Sequence, residues 1–230
     1  MQQSSNYVES TIGTKVEIGG LYLSWPNGVS VKNIYLEDQQ ADTLLYAEHL
    51  YAGISYLSLI QGKIKISSVE LENAVANIQV AEQDSSFNFE YIITAFAPAD
   101  TLAVDTTIAA DSTAMDIDIG SIEIINTRFN YHDKAAGMKM SYHIGRLYAR
   151  TEEFDVNKNI YYADQVELEN SSGNIQILKS SPPDTSSTGL PEMKVGADHL
   201  LVNNTQIRFS SKPDKMNLFA DDLFGKSLPV

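Results

Sequence analysis

A mainly β fold, one β-rich repeat domain over residues 1–230 with one or two short helices, follows from three features of the 230-residue sequence. Apolar residues recur at every second position in most segments, as in Leu50, Ala52, Ile54 and Tyr56, which is the period of a strand. Clusters of Gly, Pro, Asn and Asp punctuate those segments. Five segments share one signature centred on an asparagine.

Taken in order, residues 3–13 hold sparse apolar positions (Tyr7, Val8, Ile12) and predict a weak helix or frayed lead-in. Val16 and Ile18, then Leu21 and Leu23, predict strand up to a turn at Trp25, Pro26, Asn27 and Gly28. Val29, Val31, Ile34 and Leu36 continue the pattern to the polar run 37–40. Residues 44–56 read as strand despite several good helix formers, because their period is two. Leu57, Leu59 and Ile60, closed by Gly62, predict a short helical turn, followed by the ladder Ile64, Ile66, Val69, Leu71, Ile78 and Val80 and a polar turn at 84–88. Phe89, Ile92, Ile93 and Phe96 fall at i, i+3, i+4 and i+7, the apolar face of a helix that Asn88 is expected to cap and Pro98 to stop. Residues 99–118 and 179–191 predict flexible loops, the first rich in Ala, Thr and Asp, the second in Pro, Ser and Gly. Strands are expected at 119–131, 139–148, 161–168, 175–178 and 194–209, with a short terminal helix at 214–224 opened by Asp214.

The repeat reads as an apolar pair two apart, an Asn two later, then apolar residues of opposite parity. Its copies centre on Asn33, Asn73, Asn126, Asn170 and Asn204, spaced unevenly by 40, 53, 44 and 34 residues, with the loops and the helix in the longer intervals. In a flat strand the parity change would send the second apolar set to the other face. A bulge or turn at the Asn, a residue that tolerates left-handed backbone, returns both sets to one face. Ordinary Asn-centred turns between strands are the alternative.

Thirty acidic residues against sixteen basic ones give a formal charge of -14, which excludes the clustered Lys and Arg that nucleic acid requires. The chain has no cysteine, and no 18-residue apolar run that would span a bilayer as a helix. His49, His132, His143 and His199 stand singly without metal-ligand spacing, so no metal and no cofactor is expected. Glu152 with Glu153 and Asp221 with Asp222 sit in polar surroundings that would not raise a carboxyl pKa for acid/base work, so no enzyme is expected. The tyrosines are dispersed over the strands and read as cross-strand pairs rather than a carbohydrate platform.

The turn of Leu57, Leu59, Ile60 and Gly62, the ladder from Ile64 to Val80, and the turn of Asp84, Ser85, Ser86, Phe87 and Asn88 before a helix resemble the amino-terminal region of the AsmA/TamB family of envelope proteins. The segment 36–45 resembles Bacteroidetes-type members, and the likeness covers residues 13–97. Ser85 and Ser86 depart from it, standing where many members have Gly. The resemblance implies an elongated, curled antiparallel sheet forming an apolar groove. It also implies a fragment of a longer periplasmic protein, anchored to the inner membrane by a helix that precedes this chain.

On that basis the expected function is lipid transfer, carrying phospholipid between inner and outer membranes in support of outer-membrane biogenesis. Val69, Leu71, Ile122, Ile124, Val166, Leu168, Leu200 and Val202 would face the groove and the acyl chains, and the helix bearing Phe89, Ile92, Ile93 and Phe96 would close one end. The alternative is a scaffold for outer-membrane protein assembly that binds an assembly partner and no lipid.

Overall fold

Segments that alternate apolar and polar residues become strands because each can bury one face of its pleat and solvate the other. The computed structural model describes residues 11–25, 27–54, 64–83, 86–96, 117–155, 160–179 and 194–226. Their strands are β1 (Val16–Ser24), β2 (Gly28–Glu37), β3 (Thr43–Ile54), β4 (Ile64–Val80), β5 (Ile117–Ile119), β6 (Ser121–Asp133), β7 (Met138–Asp155), β8 (Ile160–Glu169), β9 (Ser172–Ile177), β10 (Lys194–Ser211) and β11 (Met216–Lys226). All eleven belong to one curled sheet, ordered β1-β2-β3-β4-β6-β7-β8-β10-β11, with β5 beside β4 and β9 between β7 and β10. One α-helix, α1 (Glu90–Phe96), follows β4.

Most neighbours are antiparallel, as expected, but β4 pairs with β6, and β8 and β9 pair with β10, in parallel. The sheet is therefore mixed, and the parallel joints fall where the chain makes its long connections, which parallel pairing requires. A direction rule results. Strands β2, β4, β6, β8 and β10 run one way, and β1, β3, β7 and β11 run the other.

Four of the five repeat asparagines lie on strands of the first direction, and Asn170 directly follows one of them, β8. Each has positive φ: Asn33 51°, Asn73 51°, Asn126 45°, Asn170 50° and Asn204 46°. The left-handed backbone anticipated from the parity switch is present in every copy. Pairing continues on both sides of Asn33, with Lys32 opposite Gly20 and Ile34 opposite Ile18, so the device changes side-chain parity without shifting that register. Opposite the asparagines, the reverse-running strands carry Gly19, Glu48 and Gly145. At Gly145 a Cβ would come within 2.7 Å of the Glu169 carbonyl oxygen and 2.8 Å of Asn170 Cβ, so the close approach of β8 requires glycine there.

Together these positions form a crease that crosses the sheet perpendicular to the strands. Two consecutive residues of each strand lie on the same side at the crease, which lengthens that side and bends the sheet toward the other. Small residues fill the inner side: Ala47 and Ala74, paired across β3 and β4, are 0% and 1% exposed, and Thr127 and Thr205 are also buried. Only seven apolar side chains are buried among the described residues, and the described strands form a single layer rather than two packed sheets.

Two expectations are corrected. Residues 214–224 do not form a terminal helix. Instead Lys215, with φ of 52°, turns the chain and Met216–Lys226 pairs with β10, Ile207 facing Ala220 and Phe209 facing Leu218. Asp214 accepts a hydrogen bond from Ser211 Oγ (2.6 Å) within that turn, and an open strand edge outweighs local helix propensity. Asn88 does not cap α1. Its Oδ1 accepts from Gln79 N (3.0 Å) and its Nδ2 donates to Asp38 Oδ2 and Asn77 O (both 3.1 Å), while the Glu90 carboxylate accepts from Phe87 N (3.0 Å) at the helix start. The helical turn expected at 57–62 and nearly all of the two expected loops lie outside the described residues. Of the first loop, Ile117 and Asp118 belong to β5.

Candidate functional site

Residues directly opposite one another in a sheet share a face, so the register decides which side chains meet. One row runs Leu23, Val29, Ala52, Val69, Ile122, Ala149, Val166, Leu200 from β1 to β10. The next runs Leu21, Val31, Leu50, Leu71, Ile124, Leu147, Leu168, Val202. All eight residues expected to line a groove lie in these two rows on one face. Seven of them, Val69, Leu71, Ile122, Ile124, Val166, Leu168 and Val202, are half-buried, and Leu200 is exposed. At the β1 edge Leu21 and Leu23 are exposed, as is Trp25 just beyond it.

Past the crease the apolar face continues through Leu36, Leu45, Ala76, Phe129 and Tyr142, and through Ile78, Tyr131, Met140, Ile175, Phe209 and Leu218. The two rows before the crease hold no polar residue from β1 to β10. The helix α1 stands at the strand ends beyond these rows, where the Tyr91 hydroxyl donates to the Glu37 carbonyl (2.6 Å) and lies 3.0 Å from Thr14 Oγ1. Phe89 and Ile92 are half-buried there, and the side chains of Ile93 and Phe96 lie outside the described set. Ile12, Val16 and Val80 are buried, and buried Asp38 accepts from the backbone N–H of Gln40 and Asp42 in the β2–β3 turn.

The opposite face is polar. Arg146 on β7 donates to Glu123 (2.7 Å), Glu167 (3.0 Å) and Glu169 (3.2 Å), and these bonds, that to Glu123 foremost, raise its pKa and hold it cationic. Beyond the crease the same face carries a line of amides: Asn77 Nδ2 donates to the Thr43 carbonyl (2.7 Å), Asn130 Nδ2 to Asn77 Oδ1 (2.8 Å), and Ser141 Oγ to Asn130 Oδ1 (2.7 Å). They border a concavity of about 520 Å³ that Asn174, Gln79, Gln176 and Lys139 also line. Asn174 Oδ1 is buried without a hydrogen-bond partner.

Register brings together what the sequence keeps apart. His49 on β3 faces Glu72 on β4, with Glu70 two residues away on the same face. Nothing in the spacing of these residues announces the group, because a strand pairing places it. Compared with family models and with curated proteins, the chain matches none.

Proposed function

We propose that this chain is a non-enzymatic lipid-transfer module whose apolar face shelters phospholipid acyl chains on their way between inner and outer membranes. The observation that carries the reading is the pair of unbroken apolar rows, half-exposed and without a second layer of described residues across them. A single-layer sheet must cover such a face or offer it to a ligand. Each methylene removed from water contributes roughly 0.8 kcal/mol, so sheltering about ten of one acyl chain is worth on the order of 8 kcal/mol before ordering costs. Charge repulsion from the acidic protein is screened over roughly 8–10 Å at ordinary salt, so the acyl contribution prevails. The resemblance of residues 13–97 to AsmA/TamB proteins supports the same reading, and with it a periplasmic site of action and an inner-membrane anchor outside this chain. In this scheme α1 closes one end of the groove.

Native mass spectrometry and uptake of a fluorescent fatty acid by delipidated protein test the proposal. Lipid should co-purify, and Ile124→Asp or Leu168→Asp should abolish uptake while the far-UV spectrum stays that of a sheet. Absence of both co-purified lipid and probe uptake would overturn it.

A second reading, a scaffold for outer-membrane protein assembly, is favoured by the exposed apolar residues at both sheet edges, Leu23 on β1 and Leu218 and Phe219 on β11. It requires that a proline at an edge position such as Asn217 abolish function while the charged substitutions in the apolar rows leave it intact.

A further inference from the structure

His49, Glu70 and Glu72 meet on the polar face, where one ligand atom from each lies within 4.8 Å of the other two. His49 Nδ1 is 3.3 Å from Glu72 Oε2. Donors around a tetrahedral zinc ion, bound at roughly 2.0–2.2 Å, stand about 3.3–3.6 Å apart, so the ligand atoms need draw together by only about 1 Å to enclose an ion. The other ring nitrogen, Nε2, is 2.7 Å from Oγ of Ser30 on β2, a residue only 5% exposed. With Nε2–H donating to that oxygen, the Nδ1 lone pair faces the carboxylates, the tautomer and orientation that metal-bound imidazoles take from their outer partners.

The charge balance points the same way. Arg146 compensates Glu123, Glu167 and Glu169, and Arg150 pairs with Asp164. Among the described residues neither Glu70 nor Glu72 meets a lysine or arginine. Glu70 and Glu72, two residues apart on one face of β4 with ligand atoms within 4.8 Å of each other, repel one another when ionised.

We propose that His49, Glu70 and Glu72 form a binding site for a first-row divalent cation, Zn²⁺ or Mn²⁺, with Ser30 as the positioning residue. One imidazole and two carboxylates suit these ions better than Ca²⁺, which takes six or more oxygens. Three protein ligands leave room for water on the solvent side. The ion ties β3 to β4 on the face opposite the apolar rows and offsets the charge of the two acids. The site stands independently of the lipid-transfer reading.

The test is calorimetric titration of the intact, chelator-treated protein with zinc chloride and with manganese chloride near neutral pH, paired with thermal melts. The expected result is saturable uptake of a single ion per chain with a rise in melting temperature, lost in His49→Gln and in Glu72→Gln. Ser30→Ala should weaken binding roughly 10–100-fold. The isosteric Glu70→Gln removes a ligand while relieving repulsion, so it should melt higher than the metal-free parent and yet take up no ion, which separates lost binding from lost folding. No saturable uptake by the parent, uptake that persists in His49→Gln or Glu72→Gln, or tighter binding of calcium than of zinc would overturn the proposal.

Discussion

The Nδ2 of Asn126 donates to the Oδ1 of Asn73 across 2.6 Å, joining two left-handed residues on parallel neighbours β4 and β6. Asn204 donates to Asn170 in the same way at the second parallel joint (2.7 Å). Asn73 also donates to Glu48 Oε2 on β3 (2.7 Å), so one amide serves both its backbone and its neighbours. Replacing Asn73 by Val should destabilise the fold by about 2–3 kcal/mol, combining roughly 1–2 for the left-handed backbone with about 1 for the lost bonds. Asn73→Gly should forfeit only the bonds. Denaturant curves check this, and equal losses for Val and Gly would show that the backbone conformation is not the reason for Asn.

Gly145 is the counterpart of the asparagines on β7. A methyl there overlaps the carbonyl of Glu169 and the side chain of Asn170. Gly145→Ala should therefore cost about 1–3 kcal/mol, as overpacking does, although alanine is the better residue in an unconstrained strand. Thermal melts check this, and a Gly145→Ala protein that melts no lower than the parent would show that the close approach of Glu169 and Asn170 tolerates a methyl group.

Ala74 occupies the inner side of the crease with 1% of its surface exposed, against Ala47 with none. Ala74→Leu should force the bend open and destabilise by about 1–3 kcal/mol. The same enlargement at half-buried Ala52, one of the row residues, should be far milder in the same melting assay.

Glu70 titrates above its ordinary value of 4.5, because burial first, then the hydrogen bond with Glu72 and the charges of Glu72 and Glu123, disfavour its ionised form. The folded state thus holds this proton more tightly than the unfolded chain. Its contribution is complete below 4.5 and disappears as pH rises through the folded value. In chelator, Glu70→Gln should raise the melting temperature at neutral pH, and the gain should shrink as the pH falls toward 4.5. A gain that persists undiminished at acid pH would point to packing instead.

The strands were legible because their period is local, and the five asparagines because each sits at a parity switch within its own segment. The apolar rows followed from the same switch, since residues two before and four before the Asn align whenever the crease does. Parallel pairing of β4 with β6 was not legible, for nothing inside Val69 or Ile122 records which way its neighbour runs. Strand β11 was misread because Asp214 and the apolar residues after it suit a helix until β10 offers an edge. The meeting of His49, Glu70 and Glu72 depended on the register between two strands, which no spacing rule within one segment contains.

The rule that asparagine strands run one way and their partners the other makes the sheet a modular ruler. A unit of two asparagine strands around a reverse strand, β2-β3-β4 or β6-β7-β8, begins and ends in the same direction and meets the next unit in parallel. Inserting one strand in the interior would set an asparagine against a different neighbour and interrupt the amide pairing. Adding or deleting a whole unit would leave the amide pairing, the bend and the apolar rows intact. Inside the sheet, length in this architecture changes in steps of three strands at constant cross-section, while the lone strand β1 and the pair β10-β11 finish its two edges.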